Sequence, residues 1–258
     1  REMIHIGGFT PWAWKYTDVS DLVPGYTAGG QHGGVSTEWE MVLIASAYNA
    51  YLDADALGLG AMANASFYSH LPLPDRYAQP LPPLREELVA RGVMDASGVV
   101  APKSFVLHYV GDYDSAAWVT DSLYIFWESP YRGRLPLTWA VNPNLSDRAA
   151  QFFERALRTR SGLDSFSAGD SGAGYVNPSQ VSWPRLISNL PTGEDAWRRH
   201  CERYYRRFDY DFTGFLINGH AGRITTGAEI MYQSFSGGGI VNSGWDNPNT
   251  TRLRGRMP

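Results

Sequence analysis

Three aspartates carry the chemistry most open to this chain. Asp112 and Asp114 stand two apart in Val110-Gly111-Asp112-Tyr113-Asp114-Ser115, and Asp170 precedes the glycine-rich stretch Ser171-Gly172-Ala173-Gly174-Tyr175. Glycosidic hydrolysis uses paired carboxyls, one protonated to feed the leaving oxygen and one ionised as base or nucleophile. Residues two apart where an extended strand ends project to one side. Two carboxyls so placed repel when both are ionised, which favours one of them keeping its proton. The same pair, with His108 behind it on the strand, is also an oxygen-rich set for a divalent cation. The structural alternative has Asp112 making a turn and Asp114 capping a helix from near Ser115. Gly172 and Gly174 allow positive φ or close backbone approach to a ligand. No Gly-Lys-Ser/Thr follows them and the dinucleotide spacing is missing, so this is not a phosphate loop.

Around the aspartates, rings and amides recur where apolar runs end. Trp12, Trp14 and Lys15 follow the first run. Trp118 and Glu128 come after the Asp112-Asp114 segment, and Trp139 and Asn142 close another run. Tyr175 and Asn177 follow the glycines, and Asn218 and His220 end a late run. Sugar rings stack on Trp and Tyr faces while hydroxyls pair with Asp, Asn and His, so the set reads as a carbohydrate surface. Asn and Asp also follow strands simply because they make turns, but turns do not call for tryptophans beside them. Glu128 has a second use, ending a helix before Pro130. Glu38 and Glu40 read as first-turn residues that favour a helix dipole. No Gly-x-Ser-x-Gly elbow occurs, which argues against a serine hydrolase. The six histidines show no zinc-protease spacing. The single cysteine, Cys201, lies on a helix face with Trp197 and Tyr204 and reads as core filling.

The elements that must position these residues are brief apolar runs alternating with helical patterns. Strands are predicted at Ile4–Phe9, Ala61–Ala65, Phe105–Val110, Leu135–Val141, Ser165–Gly169, Phe212–Asn218 and Gly239–Asn242. Helices are predicted at Glu38–Leu52, Pro83–Arg91, Ser146–Arg158 and Glu194–Arg207. Pro72–Pro83 and Gly25–Gly34 read as loops. This alternation predicts parallel βαβ units, and its spacing fits a single-domain (β/α) barrel of seven to eight strands, spanning 1–258, better than a doubly wound sheet. In parallel α/β folds functional groups gather after the carboxyl ends of strands, which is where the aspartates and rings fall.

Composition sets outer limits. The 258 residues hold 22 Lys plus Arg against 26 Asp plus Glu, a net charge of -4. With no dense basic run, nucleic acid is not an expected partner. No apolar stretch approaches the ~20 residues of a membrane helix. One cysteine excludes an internal disulfide framework and a cysteine-based zinc site. Neither a cofactor nor a structural metal is expected. The chain opens directly into Met3-Ile4-His5-Ile6, so any leader is expected to have been removed already or never to have been there.

Gly172-Ala173-Gly174-Tyr175-Val176-Asn177-Pro178 resembles the signature of the GxGYxYP proteins, a family assigned to glycoside hydrolysis. Val110–Trp118, Pro130–Trp139, Asn142–Leu145 and Gly214–Gly219 resemble further blocks of that family's C-terminal domain, in order, and the likeness spans Met3 to Val241. It departs at Asn177, where the signature has a second Tyr. Family members are often longer, with an N-terminal domain, so the chain is expected to be a trimmed piece of a longer protein. The resemblance implies a sugar-active barrel, and it favours Asp112, Asp114 and Asp170 over Glu38 and Glu40. A carbohydrate substrate and a secreted or cell-surface location are expected. A glycan-binding barrel without turnover, and a metal-assisted hydrolase or lyase using Asp112 and Asp114 as ligands, are the alternatives.

Overall fold

In a computed structural model the chain is described at residues 2–8, 31–32, 35–53, 64–113, 118–185, 187–217 and 224–242. Its main sheet has five parallel strands, β5 (Tyr109–Tyr113), β6 (Leu137–Val141), β7 (Asp164–Ala168), β8 (Phe212–Leu216) and β9 (Gly239–Asn242), hydrogen-bonded in chain order. Among the described residues four further strands precede it. β1 (Ile4–Gly7) pairs in parallel with β4 (Ala50–Asp53), and β2 (Gln31–His32) pairs antiparallel with β3 (Val35–Ser36). The helices are α1 (Thr37–Ala47), α2 (Ala65–Tyr68), α3 (Arg85–Ala90), α4 (Leu123–Trp127), α5 (Ala150–Thr159), α6 (Pro178–Val181), α7 (Glu194–Phe208) and α8 (Thr226–Gln233). Trp118–Ser122 is a π-helical turn and Pro143–Asp147 a 3₁₀ turn.

The main sheet curls into a half-barrel. Register places Tyr109, Thr138 and Ser165 in one row, and Val110, Trp139 and Phe166 in the next. Directly opposed residues of a parallel sheet share a face. Val110, Trp139, Val141, Phe166 and Ala168 therefore point at the helices, where they join Phe153 of α5 and Trp197, Cys201, Tyr204 and Phe208 of α7 in the principal core. The opposite face carries Tyr109 and small residues. The Tyr109 ring lies where a Cβ on Gly111 of its own strand, or on Gly214 of β8, would stand. Reaching β8 from β5, across two intervening strands, requires the sheet to bend around the ring, and the two glycines provide the room.

Helix α7 shows why this layer forms. Trp197, Cys201, Tyr204, Tyr205 and Phe208 recur at helical spacing and are all buried. Glu194 and Asp195 occupy its first turn and Arg206 and Arg207 its last, each favourable to the helix dipole. At the amino end of β7, Asp164 is fully buried. It accepts from Trp139 Nε1 at 2.9 Å and the Ser161 amide at 2.7 Å, and is paired with Arg132 at 2.5 Å.

Several expectations shift against this fold. Seven to eight strands in one barrel wall are not what the described residues form: five make the half-barrel, while β1 and β4 make a separate sheet. The order of the five shows no reversal, so the doubly wound alternative finds no support among them. The helix expected over Glu38–Leu52 stops at Ala47, because Asn49 turns left-handed at φ 60 and the apolar run after it pairs with β1. Of the strand expected at Ala61–Ala65, the described part is a left-handed Asn64 followed by α2. The strand expected from Phe105 begins at Tyr109 instead, leaving Phe105, Val106 and Leu107 exposed. The remaining strands and the helices at Pro83–Arg91, Ser146–Arg158 and Glu194–Arg207 fall at or near their expected places.

Candidate functional site

The loop 169–177, after β7, is where carboxylate, glycines and neighbouring elements converge. Asp170 and Ser171 are consecutive non-glycine residues with positive φ, 54 and 61, followed by Gly172 at 118 and Gly174 at 136. Each left-handed non-glycine residue costs about 1–2 kcal/mol and persists only where its surroundings enforce it. Here the anchors are plain. Ser171 donates its amide to Phe215 O at 2.5 Å and its hydroxyl to Val176 O at 2.7 Å, and that hydroxyl accepts from the Ile217 amide at 2.9 Å. Its carbonyl accepts from Tyr232 Oη. The Ala173 carbonyl accepts from Asn144 Nδ2 at 2.9 Å and from His200 Nε2 at 2.8 Å. The Tyr175 amide and carbonyl exchange bonds with Leu52 of β4 at 2.9 and 3.0 Å. Asp170 is buried at the head of this clamp, at 3% exposure.

The glycines serve packing as well as backbone conformation. A Cβ on Gly172 would stand 3.0 Å from Cys201 Sγ, and one on Gly174 would stand 2.5 Å from Tyr51 Cδ2 and 3.1 Å from Asn144 Nδ2. The close approach inferred from these residues is therefore made by the protein's own side chains. Tyr51 in turn carries His200 on its ring at 4.6 Å. Burial pushes the His200 imidazole down to about 4, so at neutral pH it is uncharged and its Nε2 proton is committed to Ala173. Beneath them Cys201 is fully buried, and burial raises its thiol well above the usual range, in keeping with core filling.

The other expected site residues divide by location. Asn142 and Asn177 lie at the same end of the sheet as Asp170, each as a helix cap. Asn142 accepts from the Asn144 amide at 3.2 Å and Asn177 from the Gln180 amide at 3.3 Å. The Tyr175 ring is buried with Val42, Ala45, Leu52 and Ile217. Three residues lie elsewhere. Trp139, 2% exposed, packs on Trp127 at 5.2 Å with its indole bound to Asp164, because its place in the strand turns it toward the helices. Trp118 packs against the same core. Glu128 lies on the outer surface, paired with Arg155. Asp112 falls near the carboxyl end of β5, its side chain outside the described part. Trp12, Trp14, Lys15, Asp114, Asn218 and His220 lie outside the described residues altogether. Among the described residues no group of three or more His, Cys, Asp or Glu is gathered as a metal site requires. Nor is any helix among them long and apolar enough to cross a membrane.

Residues that sequence reasoning passed over complete the clamp. Arg148 reaches Asn144 Oδ1 at 2.9 Å and Asp53 Oδ2, and His5 Nε2 meets that same carboxylate oxygen at 2.7 Å. Asp53 directly follows the end of the helix expected over Glu38–Leu52, Arg148 sat inside the one expected over Ser146–Arg158, and neither read as a strand-end residue. The usable signal was Asp53 closing the apolar run Ala50-Tyr51-Leu52 behind a turn-forming Asn49.

The sequence model of the GxGYxYP putative glycoside hydrolase C-terminal domain matches residues 102–254, from ahead of β5 to beyond β9. The chain belongs to this family. The GxGYxYP signature falls on the clamped loop after β7. Among solved structures the chain is similar to "a putative hydrolase from Bacteroides thetaiotaomicron VPI-5482", at 18% identity and a TM-score of 0.56 over 81% of this chain and 36% of that one. At that identity the likeness concerns the fold, and the chain spans about a third of that protein's length. No curated protein matches.

Proposed function

We propose that the chain is a glycoside hydrolase working at the carboxyl-terminal rim of its half-barrel, with Asp170 and one of Asp112 or Asp114 as the two carboxyls. The observation that carries this reading is the position of Asp170. It is a buried carboxylate in a left-handed backbone, at the carboxyl end of a central strand, heading the signature loop of the GxGYxYP putative glycoside hydrolase family. A strained residue whose surroundings over-determine it is a common mark of a working site. Asp112 lies two strands away on β5, so about 10 Å of sheet separates the two backbones before curl shortens the span. Asn142 and Asn177 serve the reading as the caps that hold the rim's turns. The sugar-facing rings are proposed to be Trp12 and Trp14, with Lys15, Asn218 and His220 on hydroxyls.

The test is turnover. A panel of aryl glycosides and polysaccharides is screened by product mass, then repeated on Asp112→Asn, Asp114→Asn and Asp170→Asn. At least two of the three should lose turnover by several orders of magnitude while keeping the circular dichroism of the parent. Near-parental turnover in all three would end the assignment.

A further inference from the structure

A side chain leaves its Cα in the direction that the backbone conformer dictates, so the aim of the Asp170 carboxyl is set by the peptide planes beside it. Two of these planes flank Ser171. The one between Asp170 and Ser171 is held by the Ser171 amide on Phe215 O of β8, and the next by the Ser171 carbonyl, which accepts from the Tyr232 hydroxyl of α8. Relaxing the left-handed pair, at φ 54 and 61, to a right-handed turn breaks one bond or the other.

Donor chemistry fixes the sense of these bonds, because an indole N–H and a backbone N–H can only donate. Trp197 Nε1 of α7 gives its proton to Tyr232 Oη at 3.2 Å, which leaves the single Tyr232 proton for the Ser171 carbonyl. Burial pushes the Tyr232 hydroxyl well above its ordinary range, so that proton stays. In the same way the Ile217 amide gives to Ser171 Oγ at 2.9 Å, which leaves the Ser171 proton for Val176 O at 2.7 Å. The Ser171 hydroxyl is thus engaged twice and fully buried, which removes it as a nucleophile. Trp197 and Tyr232 are fully buried too, and bear on a substrate only through the loop.

We propose that Ser171 and Tyr232 are positioning residues of the reaction, setting the Asp170 carboxyl through the backbone without touching substrate. The inference rests on the hydrolase reading above and extends the working site from the rim into the packing of α7 and α8.

Tyr232→Phe keeps the ring and deletes one hydroxyl, and Ser171→Ala deletes the other. Asp164→Asn is the control, since it weakens the amino end of the same strand and touches none of these bonds. Each is assayed below its thermal midpoint on an aryl glycoside that the parent turns over, for kcat, KM and the pH profile of kcat. Tyr232→Phe and Ser171→Ala should each lower kcat by about tenfold to a hundredfold, the weight of an ångström-scale misplacement, with KM nearly unchanged. One limb of the pH profile should move as well, because the Asp170 carboxyl enters new surroundings. Asp164→Asn should keep the parent's kcat, KM and both limbs. If Ser171→Ala does not fold, Tyr232→Phe decides alone. Parental kcat in Tyr232→Phe, or a profile merely lowered with no limb moved, overturns the inference, and the hydrolase reading still stands where Asp170→Asn is dead. Parental turnover in Asp170→Asn also overturns it, since no working carboxyl is then left to set. A parent that turns over none of the panel ends both.

Discussion

His200 should make this protein lose stability in mild acid, well above the range in which carboxylates titrate. Its imidazole is held neutral, at about 4 against an ordinary 6.5, first by burial and then by the nearby charge of Arg203; its bond to Ala173 opposes both. In the unfolded chain it takes up a proton as pH falls through 6.5, and in the folded protein it does not until about 4. The unfolded state therefore gains protons over that window, and stability falls with pH there. The full difference is about 3 kcal/mol at about 1.4 kcal/mol per pH unit, most of it lost by pH 4.5. His200→Gln keeps a donor for the Ala173 carbonyl and cannot titrate. It should be less stable than the parent at pH 7, having lost the ring contacts with Tyr51, Trp197 and Tyr204. Between pH 6.5 and 4.5, however, it should lose about 2–3 kcal/mol less than the parent does. Urea unfolding at half-unit steps of pH measures this, because carboxylates and the other histidines contribute alike to both proteins. Equal losses in the two proteins would refute a neutral, buried His200.

Three more outcomes follow from the packing. Gly174→Ala meets Tyr51 and Asn144 and is strained at φ 136, so it should cost roughly 2–4 kcal/mol in chemical unfolding. Gly172→Ala should also destabilise, and part of the loss should return when Cys201→Ala removes the sulfur 3.0 Å from the added methyl. Asp164→Asn leaves Arg132 without its ion-pair partner and should cost about 3 kcal/mol at neutral pH. Burial raises the Asp164 carboxyl, but the bonds from Trp139, Ser161 and Arg132 outweigh it and hold it below 3.8. Its contribution should therefore be complete above that pH and vanish on further acidification, a loss absent from the variant when unfolding is followed down to pH 2.

Much of the half-barrel was legible because its signals are local. β6 to β9 are short apolar runs that end in Asn, Gly or Asp, and α7 repeats its apolar face over four turns, so period and punctuation suffice. The run at Ala50–Asp53 failed the same reading. It continues the apolar pattern of α1, and only the left-handed Asn49 and the partner strand β1 turn it into β4. Trp139 failed for a related reason. A tryptophan near a strand end looks the same in sequence whether it faces a ligand or a helix, and one step of pleat parity decides between them.

The chain's order of residues determined the family signature, the parallel alternation of strands and helices, the core face of Cys201, and Asp170 at a strand's end. Tertiary structure alone decided that Gly172 and Gly174 make room for Cys201 and Tyr51, and that His5, Asp53, Arg148, Asn144 and His200 frame one loop. The reason is distance along the chain. Asp53 and Arg148 meet across 95 residues, and Asn144 and His200 converge on the Ala173 carbonyl from 56 residues apart, and no local period or spacing records contacts that exist only once β4, β6, β7 and α7 have packed.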